Sequence, residues 1–185
     1  MRPLRIAPAA ALTLSLILLI LGSATLGGGL RAEDKRLSPH EQVSATIGGK
    51  KITIEYGRPY KKGRPIFGGL VPFGQVWRTG ADEATTLTTD GDVMIGALRV
   101  PKGKYALFTV PEKDQWTLVV NRTAKQWGAF SYNAKDDLGR VPMKVGATPA
   151  TVEQLTIKLE PAGDRKAILE VSWDKLVASA QLTVP

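Results

Sequence analysis

The chain is 185 residues long and carries 25 lysine and arginine residues against 17 aspartate and glutamate residues, a formal net charge of +8. It contains no cysteine and a single histidine. This composition excludes a disulfide framework, a thiol nucleophile and a lipid-modified N-terminal cysteine. One histidine and no cysteine also do not supply the usual ligands of a zinc site.

Residues 1–32 have the organisation of an export signal. Two arginines precede an uncharged apolar run at 9–21, and small residues offer cleavage after Ala24 or Ala32. An uncleaved signal would anchor the protein in the inner membrane, but the glycine-rich end of the segment favours cleavage. We therefore predict a periplasmic or secreted protein with no stable membrane span after cleavage.

The rest of the chain, residues 33–185, has the length of a single domain with its own core. Three of the 25 basic residues lie in the predicted signal, so 22 remain against 17 acidic residues, a net charge of +5. This charge is typical of a solvated basic surface, and few aromatic residues accompany the basic ones. We expect no nucleic-acid partner.

Apolar and polar residues alternate through most of this domain, and no segment shows a sustained helical period. The alternating segments are 43–47, 52–56, 85–89, 93–95, 98–110, 116–120, 141–145, 155–159, 167–173 and 178–184, with turn residues between them. This pattern predicts an all-β fold, a single antiparallel β-sandwich or barrel-like domain of about eight to ten strands.

The exception to the alternation is residues 57–84, which hold three prolines and six glycines. A loop of this length inside a compact domain is usually functional or disordered. Its many apolar residues exclude disorder, because they would leave too much apolar surface in water. We therefore expect the loop to be ordered and to carry the functional site.

Several stretches resemble, in order and spacing, an exported bacterial family known as domain of unknown function twenty-nine eleven. They are TIGGKKITIEYGRP, KGRPIFGGLVPFGQVWRTGADEATTLTT, VPKGKYALFTVP, WTLVVN and QWGAF. The resemblance runs from about Ser38 to the C-terminus and implies one mostly β domain behind a signal peptide, with no established activity. Where family members usually have Asn in the VWRTG segment this chain has Asp82, which accepts hydrogen bonds but does not donate them when ionised.

We predict a ligand-binding site built from the 56–83 loop and a second glycine-containing segment. Its residues are Tyr56, Trp77 and Trp127 as flat walls, Arg58 and Arg78 as polar anchors, and Glu83 as an orienting carboxylate. The ligand would be a small molecule or an extended component of the cell envelope, anionic or carbohydrate. No cofactor is implied.

Other interpretations of the same residues remain open. Glu83 can instead bind Arg78 or Arg58 and hold the loop to the sheet, so that the domain is a structural or protein-interaction module. A carboxylate-based hydrolase or lyase acting on carbohydrate is also possible; it would need Glu55 or another distant acid, since neighbours in extended chain face opposite ways. Without cysteine and with one histidine, the sequence favours binding over catalysis.

The single histidine and the acidic turns are interpreted structurally. His40 opens the first predicted strand and is expected to be solvated rather than a catalytic base. Asp90, Asp92 and the acids at 136–137 could ligate calcium, but such residues more often form turns. We predict no metal site.

Overall fold

A computed structural model of the chain describes residues 38–185. The predicted signal peptide, with both of its cleavage positions, lies outside the described residues. Within them, no helix is long and apolar enough to span a membrane.

The described part of the chain consists of nine β-strands and one short 3-10 turn. The strands are β1 His40–Ile47, β2 Lys50–Gly57, β3 Thr85–Thr89, β4 Val93–Ile95, β5 Leu98–Val100, β6 Gly103–Pro111, β7 Gln115–Asn121, β8 Asp137–Pro161 and β9 Lys166–Thr183. The 3-10 turn spans Ala134–Asp136, directly before β8. The predicted all-β fold is confirmed.

All nine strands belong to one antiparallel sheet with the order β1-β2-β3-β6-β7-β8-β9-β4-β5. Although β1 and β8 are far apart in this order, β1 contacts β8 and β9. At the end of β2, the hydroxyl of Tyr56 accepts a 3.0 Å hydrogen bond from the backbone N–H of Ile157 in β8. These contacts require the sheet to curl on itself, and its concave face encloses the main core.

The strands are longer than the alternation predicts at the C-terminal end. Four predicted segments form two strands, β8 and β9, whose pairing shifts register on either side of Val152. Val152 is opposite Asp174, which has a left-handed φ of 53°. This irregularity at Asp174 reverses which positions of β9 face inward. Trp173 and Ala178 therefore both face the core, although strict alternation would place an odd-numbered and an even-numbered residue on opposite faces.

The loop between β2 and β3 contributes to the core and is ordered as predicted. Its Trp77 stacks on Trp173 with ring centroids 6.0 Å apart, and it meets Trp116 edge to face at 6.2 Å. Phe67 packs edge to face on Trp116 at 4.8 Å. This aromatic cluster fixes the start of the VWRTG segment to the sheet.

Candidate functional site

The turn before β3 packs directly on the end of β2, backbone against backbone. A Cβ at Gly57 would overlap the carbonyl oxygen of Ala81, so only glycine fits at the end of β2. Ala81 N–H donates a 3.2 Å hydrogen bond to the Gly57 carbonyl. The hydroxyl of Thr85 closes the turn by donating to the Thr79 carbonyl at 3.0 Å. This packing carries Asp82 and Glu83 to the start of β1.

Segment 122–136 covers part of the outer, convex face of the sheet. It is held by a second small core of buried residues on that face, Ala84, Ala106, Phe108 and Val119, against which Ala129 and Tyr132 pack. Buried Gln126 donates from Nε2 to Asn121 Oδ1 at 3.0 Å and to the Thr123 carbonyl at 2.6 Å. The segment is therefore firmly placed relative to the strands.

A cleft of about 950 Å³ lies beside this cover, between segment 124–127 and the outer face of β1, β2, β3 and β6. The charged and polar side chains at its walls are His40, Glu41, Gln42, Glu55, Glu83, Thr86, Lys104, Lys125 and Gln126. Glu55, Thr86 and Ala106 are directly opposite one another on β2, β3 and β6, so they share the outer face. The volume lies in the range typical of small-molecule sites.

Glu55 and Lys104 form an ion pair across the floor of the cleft. Lys104 Nζ lies 2.7 Å from Glu55 Oε2, and Thr86 donates its hydroxyl to the same oxygen at 3.2 Å. The hydrogen bond from Lys104 lowers the pKa of Glu55 below its ordinary value, against the opposing effect of partial burial. Glu55 therefore remains ionised at neutral pH.

His40 lies between two carboxylates at one end of the cleft. Its Nε2 is 3.4 Å from Asp82 Oδ2 and 3.4 Å from Glu83 Oε2. The sequence correctly predicts that His40 opens the first strand and is exposed, but it does not indicate this environment, since 42 residues separate His40 from Asp82. The histidine thus belongs to the cleft and connects β1 to the VWRTG segment.

Three of the six predicted site residues border the cleft: Tyr56, Glu83 and Trp127. Trp127 is the prominent one, because its side chain is 59% exposed at the wall. A backbone bridge between Trp127 and Glu83 joins segment 124–127 to the turn before β3. Tyr56 directs its side chain into the core, where burial raises the pKa of its hydroxyl.

Arg58 and Trp77 are engaged in the protein itself. Arg58 donates from Nε to the Leu155 carbonyl at 2.8 Å and from Nη2 to the Thr156 hydroxyl at 2.9 Å, and its Nη1 lies 2.8 Å from Glu41 Oε2. Trp77 is only 8% exposed within the aromatic cluster. The structure thus places both residues where they hold the loop to the sheet, and ligand binding by either stays a prediction.

Arg78 follows Trp77 and lies next to Gly128, whose added Cβ would be 3.9 Å from Arg78 Cδ. Glu83 contacts His40, and Arg58 pairs with Glu41. Within residues 38–185, Glu83 forms no ion pair with Arg58 or Arg78, the two partners that the sequence suggests. The Nε of Arg78 is buried and has no hydrogen-bond partner among the described residues. Burial lowers the pKa of Arg78, while the charge of Asp82 raises it.

The acidic turn residues stabilise turns. Asp90 accepts from Lys51 N at 2.9 Å, and Asp92 accepts from Arg99 Nη2 at 2.6 Å and from Lys102 N at 3.1 Å. Across residues 38–185, no three histidine, aspartate or glutamate side chains are grouped so as to hold a metal ion.

Sequence analysis missed Lys104, Gln126 and the cleft role of His40. Lys104 and Glu55 occupy outward positions of alternating strands, so the pattern could have identified their face. Their contact depends on the pairing of β2 with β3 and of β3 with β6, which alternation does not specify.

Comparison with known proteins gives the family of the chain. A search of curated proteins and a search of solved structures find no significant match. The model of one family, described as a protein of unknown function, DUF2911, matches residues 38–182. The match covers nearly all of the described sheet together with the turn that holds Asp82 and Glu83, and the chain is a member of the DUF2911 family.

Proposed function

We propose that the domain binds a carbohydrate in the cleft and does not transform it. The observation that supports this proposal is the exposed indole of Trp127 on the wall of a cleft whose floor carries the Glu55–Lys104 ion pair. An indole offers a flat apolar surface for the C–H face of a sugar ring, while polar side chains around it accept and donate hydrogen bonds to hydroxyl groups.

The paired carboxylates favour a neutral polar body over an ion at the floor of the cleft, while Lys125 is an exposed cation on the wall with no ion pair within residues 38–185. Glu41 and Glu55 are each paired with a cation, Arg58 at 2.8 Å and Lys104 at 2.7 Å, and Glu83 contacts His40, which is charged only when protonated, at 3.4 Å. A paired charge attracts an ion weakly but still offers lone pairs and N–H groups to hydroxyls. Oligosaccharides have this chemistry.

The proposal is tested by calorimetric titration with cellotetraose, xylotetraose, chitotetraose and maltotetraose. We expect at least one to bind, and Trp127→Ala to weaken it about tenfold because the stacking surface is lost. Phe130→Ala is the matched control, since Phe130 is 88% exposed on the same segment but does not line the cleft. Equal losses in both variants, or binding unaffected by Trp127→Ala, would contradict the proposal.

A hydrolytic function is the second candidate, because Glu55 and Glu83 both line the cleft. Two carboxylates on opposite sides of a sugar can supply the acid and the base or nucleophile of glycoside hydrolysis. Incubation of the same tetrasaccharides with the protein, followed by chromatography, separates the two functions. Shorter products that disappear in both Glu83→Gln and Glu55→Gln would establish hydrolysis.

A purely structural module is less well supported. Such a module is expected to expose an apolar patch around Ile66, Phe67 and Phe73. Ile66 is instead buried, and Phe67 packs on the aromatic cluster.

The proposed place of action is the periplasm or the exterior of the cell. Residues 1–32 support this through their basic start, apolar run and small-residue end. Fractionation of cells that express the full chain or a chain lacking residues 2–32 tests it. Export predicts that the full chain leaves the cytoplasm in a shortened form and that the truncated chain remains there at full length.

A further inference from the structure

Within residues 38–185, no carboxylate forms an ion pair with Arg78. Its Nε is buried without a hydrogen-bond partner within residues 38–185. Buried polar groups are nearly always hydrogen-bonded, and a guanidinium remains charged at physiological pH. The guanidinium therefore retains unused donors, and because Nε is enclosed by protein, an oxyanion from outside would approach the Nη groups.

The two acids that follow Arg78 in the chain do not use this capacity. Asp82 and Glu83 each place a carboxylate oxygen 3.4 Å from Nε2 of His40. Asp82 acts on Arg78 through the longer-range attraction of its charge. The segment therefore brings an arginine and two carboxylates together and directs the carboxylates toward β1.

Arg78 packs beside Gly128, the residue that follows Trp127 of the cleft wall. Gly128, which approaches Arg78 Cδ, has a left-handed φ of 64° and donates a 3.0 Å hydrogen bond to the Asp82 carbonyl. Trp127, directly before it, lines the cleft. The Arg78 side chain therefore packs beside the segment that forms one wall of the cleft.

We infer that Arg78 forms an oxyanion subsite at the margin of the cleft, which binds a carboxylate or phosphate group of a ligand whose neutral body stacks on Trp127. This inference rests on the proposed carbohydrate binding and names its ligand class, an acidic saccharide. A guanidinium binds planar carboxylates through two parallel hydrogen bonds, and partial burial strengthens such bonds. Gly128 has no side chain of its own, and the exposed ring of Phe130 packs on it beside Arg78 Cδ, so the ring of Phe130 borders the subsite.

The first test measures the anion subsite without any saccharide. In ¹H–¹⁵N spectra of arginine side chains, the Nε–Hε signal of Arg78, identified by its loss in Arg78→Lys, is followed during titration with sodium acetate and separately with inorganic phosphate at constant ionic strength. We expect a saturable shift at Arg78 and none at Arg99, an exposed arginine already paired with Asp92. The anion whose shift saturates at the lower concentration identifies the group that the subsite binds. The absence of a saturable shift with both anions would overturn the inference.

The second test uses a pair of sugars that differ in one carboxylate. N-acetylmuramic acid carries a lactyl carboxylate that N-acetylglucosamine lacks, and we expect wild-type protein to bind it about tenfold more tightly. Arg78→Gln should remove this preference while leaving the affinity for N-acetylglucosamine unchanged, and Arg99→Gln should preserve it. Trp127→Ala should weaken binding of both sugars.

The two tests separate failure of the inference from failure of the proposed function. Where acetate gives the saturable shift, equal affinity of the wild type for the two sugars, or a preference that survives in Arg78→Gln, overturns the oxyanion subsite and leaves carbohydrate binding intact; where phosphate alone gives it, the same comparison is made with N-acetylglucosamine 6-phosphate. A saturable acetate shift at Arg78 without binding of either sugar or of the tetrasaccharides supports the subsite and overturns carbohydrate binding. If Arg78→Gln does not fold, the wild-type titration with acetate and phosphate decides.

Discussion

Gly57 and Ala81 are in direct backbone contact, with Ala81 N–H donating a 3.2 Å hydrogen bond to the Gly57 carbonyl. A Cβ on residue 57 would overlap the Ala81 carbonyl, and the neighbouring atom is backbone that cannot rotate away. We expect Gly57→Ala to destabilise the domain by about 1–3 kcal/mol, as overpacking does. Urea unfolding monitored by tryptophan fluorescence measures the change.

Gly146→Ala is the control for this substitution. Its added Cβ would meet only Val177 Cγ1 at 3.7 Å, an ordinary van der Waals distance. We expect a change within about 0.5 kcal/mol. Similar stability of the two variants would show that the VWRTG turn can shift away from β2.

Trp77 and Trp127, both predicted as walls of a pocket, should respond oppositely to truncation. Trp77 packs on Trp116 and Trp173, so Trp77→Ala should destabilise the fold by about 3–5 kcal/mol. Trp127 is largely exposed, and Trp127→Ala should change stability by about 0.5 kcal/mol or less. Thermal unfolding distinguishes them, and a large loss in Trp127→Ala would assign that side chain a structural role.

The different positions of these two tryptophans show where sequence reasoning reaches its limit. Alternation predicts the strands and their buried faces because one face of each strand must leave water. Trp77 and Trp127 both lie in irregular glycine-containing segments, where no period indicates the direction of a side chain. Pairing decides it: Trp77 exchanges backbone hydrogen bonds of 2.8 and 2.9 Å with Thr109, which directs its indole into the core.

The site is less predictable than the fold because its contacts join distant parts of the chain. His40 meets Asp82 across 42 residues, and Lys104 meets Glu55 across 49. Such contacts depend on strand order and register, neither of which follows from the composition of one strand. The loop could be identified as the functional region from its glycine, arginine and aromatic content, but its partners on β1 and β6 could not.

Arg58 joins the end of β2 to β8 by hydrogen bonds to Leu155 and Thr156, 97 and 98 residues away. Arg58→Ala should destabilise the domain by about 1–3 kcal/mol, because it removes charged hydrogen bonds in a part-buried site. Arg58→Lys should not restore the lost stability, since an ammonium group cannot reproduce the planar, forked geometry of the guanidinium.

Chemical denaturation measures the stability of both variants. Arg99→Ala, at an exposed ion pair, is the control, with an expected change of about 0.5 kcal/mol or less. Full stability of Arg58→Ala would return this residue to the candidate ligand contacts.

Glu55 should titrate below its ordinary pKa because Lys104 donates a hydrogen bond to its carboxylate. Since the folded-state pKa is lower than the unfolded one, the pair contributes stability above the unfolded pKa and loses it as the pH falls through the folded pKa. Both side chains are about half exposed, so the contribution is small. NMR titration of the Glu55 carboxyl group should show its midpoint rising in Lys104→Met, and an unchanged midpoint would exclude Lys104 as the cause.

Asp82 occupies a left-handed backbone conformation, with φ of 62°. Aspartate and asparagine tolerate this conformation better than other residues with a side chain, which gives a backbone reason for either residue at position 82. We expect Asp82→Asn to change the free energy of unfolding by about 0.5 kcal/mol or less, and Asp82→Ala to lower it by about 1–2 kcal/mol. Urea denaturation compares them, with Asp114→Ala as a control at an exposed aspartate whose φ is not positive. If alanine is tolerated at 82 as well as asparagine, the side chain is selected for its contact with His40 rather than for its backbone.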